Sequence, residues 1–208
     1  MIAELGNYAL ALSLAVSFFL AIFPLWGAEK DHPQLMSLAR PMTYGLFFSL
    51  TIAFAALFYL FAVNDFSVQY VVNNSNSSLP IYYRLSAVWG SHEGSLLLWI
   101  WLLTLWGAAV ALFSKHLPQE AVARVLGIMG IIGFLLFVLF TSNPFTRTFP
   151  DFPVDGRELN PMLQDVGLIF HPPLLYMGYV GFSVAFAFAI ASLMTGKLDS
   201  AWARWSRP

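Results

Sequence analysis

The sequence predicts an all-α, polytopic membrane bundle of about five transmembrane helices. Two observations carry this. Of 208 residues, 59% are apolar and only 10% charged, whereas a soluble domain carries roughly 25% charged residues. Too little charge is present to cover a water-facing surface. Several apolar runs also approach about 20 residues, the length that crosses a hydrocarbon core as a helix.

The first span covers residues 6–26, with Pro24 near its end. The start of the chain lacks the basic segment of a cleaved signal peptide, so this run is expected to remain as a helix. A loop with Glu29, Lys30, Asp31, His32 and Arg40 leads to the second span, 41–63, opened by Pro41. Proline suits that place because the first helical N–H has no intrahelical partner. Residues 64–95 follow as a long extramembrane segment, centred on the turn-forming run Asn73 to Ser78. The third span is 96–113 and the fourth 122–141, joined by a short loop with Lys115, His116 and Glu120. Residues 142–167 are rich in proline and acid and read as an ordered, irregular loop. The fifth span is 168–194, and Lys197, Arg204 and Arg207 come after it.

Charge sets the expected orientation. Lys30, Arg40, Lys115, Arg124, Lys197, Arg204 and Arg207 fall on one side, and Arg84, Arg147 and Arg157 on the other. The side richer in Lys and Arg is cytoplasmic by the positive-inside rule. The N-terminus and both long loops, 64–95 and 142–167, are then outside, and the C-terminus inside. The whole chain reads as one membrane domain, 1–208. Gly181, Ala185 and Ala189 on the fifth span, and Gly127, Gly130 and Gly133 on the fourth, read as ridges that let helices approach closely.

Composition also excludes classes of function. A net charge of −1 without a basic stripe argues against nucleic acid as a partner. There is no cysteine, hence no disulfide, thiolate metal site or thiol nucleophile. No phosphate-binding glycine loop and no nucleophile–base set occurs. The spans lack the paired ionisable residues of a proton relay or ion path, which weighs against a transporter.

Chemistry concentrates in two stretches. Trp89, Trp99, Trp101 and Trp106 lie within 18 positions and are four of the seven tryptophans. Among them sits the polar group Gly90-Ser-His-Glu-Gly-Ser95. Broad rings beside a few polar groups at a membrane edge suit a large, flat, partly apolar ligand, and they equally suit an interfacial aromatic belt. His92 and Glu93 read as the first turn of a helix, where an acid complements the dipole, with Ser91 or Ser95 as the cap. Gly90 and Gly94 permit close approach to the backbone. The second stretch is Asp165-Val-Gly-Leu-Ile-Phe-His-Pro-Pro-Leu-Leu-Tyr-Met-Gly-Tyr179. A residue before proline is pushed from the helical region, so His171 is expected at a bend that opens the fifth helix. Its imidazole suits an axial haem ligand, or a helix-start histidine bonded to a loop. His32 and His116 read as solvated loop residues.

Trp89-Gly-Ser-His-Glu-Gly-Ser-Leu-Leu-Leu-Trp99, Gly156-Arg-Glu-Leu-Asn-Pro-Met-Leu-Gln-Asp165 and Phe170-His-Pro-Pro-Leu-Leu-Tyr-Met-Gly-Tyr-Val-Gly-Phe-Ser-Val-Ala185 closely resemble the CcmF family, the haem lyase subunits of bacterial cytochrome c maturation. NrfE proteins are close relatives. The resemblance runs along the whole chain. It implies an inner-membrane protein whose outer loops face the periplasm and handle haem. Its implied partners are a CcmE-like haem chaperone, CcmH-type thiol-handling proteins and apocytochrome c, whose Cys-x-x-Cys-His thiols receive the haem. It also implies that His171 is a haem iron ligand, with Trp89, Trp99, His92 and Glu93 shaping or supporting the haem surface. The family's tryptophan-rich platform, second outer histidine and intramembrane histidines are absent here. The expectation is therefore an N-terminal portion of a longer protein, with a haem transporter or a scaffold for maturation partners as the alternatives.

Overall fold

The computed structural model describes residues 1–131 and 142–196. The described chain is helical: α1 (Ile2–Glu29), α2 (Pro33–Ser37), α3 (Ala39–Ala62), α4 (Gln69–Asn74), α5 (Ile81–Ser86), α6 (His92–Phe113), α7 (Gln119–Ile131) and α8 (Val166–Thr195). Four stretches are long and apolar enough to span a bilayer: α1, α2 with α3, α6, and α8. α7 begins where the fourth span is expected, and residues 132–141 lie outside the described residues. So do Lys197, Arg204 and Arg207.

The long helices close a ring. α1 packs on α3, α3 on α6, α6 on α8, α8 on α7, and α7 on α1. Small residues set the approach of α1 and α7. A Cβ at Gly127 would lie 2.7 Å from the Leu25 side chain, and one at Gly130 would lie 3.0 Å from Leu20. Ser13 and Ser49 share a buried 2.7 Å hydrogen bond between α1 and α3. The expected ridge on α8 is used only in part: a Cβ at Gly181 would lie 3.4 Å from the Trp106 ring, while Ala185 is exposed.

Arginines close three helix C-termini, where carbonyls lack intrahelical donors and the dipole is negative. Arg124 donates to Ala28 O of α1 at 3.2 Å and pairs with Glu120 at 3.0 Å. Arg84 donates to Ala62 O of α3 at 3.1 Å. Arg40 donates to the carbonyl of Ser114, the C-cap of α6, at 2.8 Å. Two ends emerge. Lys30, Arg40, Lys115 and Arg124 gather at one; Arg84, Arg147, Arg157 and the N-terminus gather at the other.

The second end carries a folded cap built from both outer segments. Residues 64–91 supply α4, α5 and a 3₁₀ turn (Ala87–Trp89), and Val68, Val71, Ala87 and Val88 are fully buried. Segment 142–165 is stitched to it: Gln69 N donates to Thr146 O, Thr148 N to Ser67 O, and Arg157 N to Val72 O. Phe145 lies over Gly6 of α1, where a Cβ would come within 2.3 Å of its ring. Arg147 bridges Glu4 and Ser67.

Candidate functional site

The site is built where the cap meets α6 and α8. α6 starts at His92 with Ser91 as N-cap, but the Ser91 side chain makes no capping bond. Ser95 Oγ donates instead to His92 O. Neither serine caps the helix; the Tyr70 hydroxyl instead packs against Gly94 and donates to Val88 O at 3.0 Å. Burial, together with the nearby Glu93 carboxylate, pushes this hydroxyl above its ordinary range, so it stays protonated and can donate. Gly94 is required by close approach, because a Cβ there would lie 1.6 Å from Val88 O. His92 and Glu93 are the first two residues of α6, as the sequence implies. His92 is exposed, Glu93 half-buried.

The tryptophans act between helices. Trp101 donates from its indole to Thr51 Oγ1 at 3.0 Å and stacks on Phe54 with ring centres 5.0 Å apart. Trp106 donates to Met177 O of α8 at 3.1 Å. Trp89 donates to Leu168 O of α8 at 2.8 Å, with its ring edge-on to Phe58 at 5.7 Å. Trp99 is half-buried against the core. Position along the chain marks these rings as interfacial, but their N–H partners lie up to 79 residues away.

His171 differs from expectation. It lies within α8, six residues in, and not at a bend before it. α8 opens at Asp165, whose carboxylate accepts from Gly167 N at 2.6 Å. Pro172 and Pro173 therefore sit inside the helix and remove the N–H groups that would reach the carbonyls of Leu168 and Ile169. The Trp89 indole supplies a donor to the first of these. Irregular satisfaction of this kind, from a neighbouring helix, is what lets proline persist in a membrane helix.

The His171 side chain is exposed and makes no hydrogen bond among the described residues. Leu174, Leu175 and Gly178 follow at three, four and seven positions, on the same helix face. All three are exposed, and Phe170, Tyr179 and Phe182 flank them. α8 is the least covered of the long helices, with 22% of its most apolar stretch buried against 33–50% in the others. An unengaged imidazole on an apolar face fits one axial haem ligand and the ring edge beside it. Among the described residues no group of three or more His, Cys, Asp or Glu could hold a bare metal ion. Trp89 joins the turn of α8 that carries His171. No hydrogen bond or ring contact joins Trp99, His92 or Glu93 to His171 among the described residues.

A profile of the family described as "Cytochrome C assembly protein" matches residues 89–208. Over its whole length the chain is 90% identical to the cytochrome c-type biogenesis protein CcmF of Haemophilus influenzae and 58% identical to that of Escherichia coli, covering 32% of each. It is 49% identical to the cytochrome c-type biogenesis protein NrfE of H. influenzae, over 93% of this chain and 31% of that one. A solved structure titled "Cytochrome c Heme Lyase CcmF" superposes with a TM-score of 0.85 at 29% identity, over 99% of this chain and 32% of that one. The chain thus spans about a third of the length of these relatives.

Proposed function

The chain belongs to the cytochrome C assembly protein family, and on that premise we propose that it is the haem-presenting membrane segment of a CcmF-type haem lyase. In this reading the whole protein takes haem from a CcmE-like chaperone and works with CcmH-type thiol-handling partners. It then joins the haem vinyl groups to the two thiols of a Cys-x-x-Cys-His segment in apocytochrome c. Each thioether forms by addition of S–H across a vinyl double bond, so no atom is lost and no oxidant is consumed. With no cysteine in this chain, its residues bind and orient. Identity of 90% to CcmF against 49% to NrfE within one organism supports the general lyase over the nitrite-reductase type.

One observation carries the reading: His171 stands exposed, without a hydrogen bond among the described residues, on the apolar face of α8 near the capped end of the bundle. His171 ligates the iron, and Trp89, Trp99 and the His92–Glu93 turn shape or support the haem surface. The protein lies in a bacterial inner membrane with the cap in the periplasm. The sorting of Lys30, Arg40, Lys115 and Arg124 to the opposite end supports that orientation. A transporter finds less support, because the Asp, Glu and Arg residues of α1, α3 and α6 lie at helix ends and α8 contains none.

The test is holocytochrome c yield from the full-length protein carrying His171→Ala. The reading predicts loss or a sharp fall with the protein still present in the membrane. Normal yield would remove the ligand role and favour a scaffold.

A further inference from the structure

We propose that Trp89 is a positioning residue for His171, acting through the Leu168 carbonyl that Pro172 leaves without a helical donor. This rests on the reading of His171 as the haem ligand.

Helix α8 has a defect one turn long at the place where His171 projects. Two successive prolines delete two successive N–H donors. A carbonyl left unpaired in an apolar setting is costly, and the first turn of α8 would relieve that cost by tilting toward any available donor. Leu168 is itself buried, 8% exposed, so water is a poor substitute at its backbone. The Trp89 indole meets Leu168 O at 2.8 Å and thereby sets the direction of the turn carrying residues 168–171.

Trp89 is in turn held from three directions. It ends the 3₁₀ turn Ala87–Trp89, whose Val88 carbonyl receives the Tyr70 hydroxyl. Val88 O also abuts Gly94 at the start of α6 so closely that no Cβ fits. Phe58 of α3 packs edge-on against the indole. Farther along α8, Trp106 grips Met177 O and its ring lies against Gly181. α8 is therefore clamped at residues 168 and 177, and the exposed His171 turn lies between the clamps. A ligand on an exposed face has few side-chain neighbours to orient it, so backbone direction decides where the imidazole points.

The experiment uses the purified full-length protein and haem itself as the probe. Haem affinity is measured for wild type, W89F, P172A, W89F/P172A and H171A, alongside hydrogen exchange of residues 166–177. W89F keeps an aromatic side chain but removes the indole N–H together with its five-membered ring, whereas P172A restores a helical N–H to Leu168 O, so the comparison between backgrounds isolates the hydrogen bond. We expect H171A to lose binding. We expect W89F to weaken binding about tenfold, the effect of one lost hydrogen bond to a buried carbonyl, with faster exchange in residues 166–177. In the P172A background, W89F is expected to change affinity less than about twofold, because the carbonyl already has its donor. A tenfold loss from W89F in both backgrounds would overturn the route through Leu168. Wild-type affinity in W89F with loss in H171A would overturn the positioning role alone. Unchanged affinity in H171A would overturn the ligand reading, and the proposal with it.

Discussion

The Tyr70 hydroxyl donates to the Val88 carbonyl at 3.0 Å and packs against Gly94, so one phenol on α4 joins the 3₁₀ turn to the first turn of α6. Tyr70→Phe keeps the ring and leaves the Val88 carbonyl without this donor in a buried place. We expect a loss of about 1–3 kcal/mol, read as a lower melting temperature of the detergent-solubilised full-length protein. Gly94→Ala forces a Cβ against Val88 O and Tyr70 Oη; it is expected to cost about 1–3 kcal/mol or more by overpacking.

Arg124 is the most buried charged cap, with 6% of its side chain exposed. Arg124→Met removes the donor to Ala28 O and the pair with Glu120. A loss of about 1–3 kcal/mol is expected. Arg124→Lys should recover only part of it, because an ammonium lacks the planar fork that reaches two acceptors at once. Thermal melting of the three proteins checks the order wild type, Lys, Met.

Asp155 latches the two outer segments by accepting from Ser77 N, Ser77 Oγ and Gly156 N. These bonds hold its carboxyl below the ordinary aspartate range. Its folded pKa is depressed, so the latch is fully present above the unfolded aspartate value of about 4 and is lost as pH falls through the folded one. Proteolysis of segment 142–165 should therefore speed up at pH values below about 4. Asp155→Asn should remove that pH dependence while loosening the segment at neutral pH. Equal pH profiles for the two proteins would contradict the latch.

Within the bilayer, Thr51 accepts from Trp101. Thr51→Val leaves an indole N–H without its partner and is expected to cost about 1 kcal/mol, the size of an interhelical hydrogen bond in a membrane. Thr51→Ser should cost less, since it keeps the acceptor.

The helices were legible because a chain crossing lipid must satisfy every backbone group within a helix, so long apolar runs report the spans directly. Residues 142–167 were recognisable as ordered, but not what they bond to: Asp155 finds Ser77, 78 positions away. The polar cluster before α6 was legible as a helix start, whereas its cap was not. Local rules point to Ser91 or Ser95, and neither caps it; the group packed at that helix start is the Tyr70 hydroxyl, brought in by the fold of the cap. His171 is legible in the sequence as a residue of interest, but the local preference of a residue before proline places it at a bend, whereas it lies inside a continuous helix. That Trp89 and Pro172 form one device is visible only once residues 89 and 168 are adjacent. Arg40, Arg84 and Arg124, read from the sequence as markers of orientation, also cap helix C-termini.

The most direct test of haem ligation at His171 is chemical rescue. Haem spectra of the full-length wild-type protein are compared with those of His171→Gly, with and without added imidazole. Ligation predicts that the His171→Gly spectrum loses the wild-type axial signature and regains it when imidazole fills the space left by the side chain. A His171→Gly spectrum identical to wild type without imidazole would contradict it.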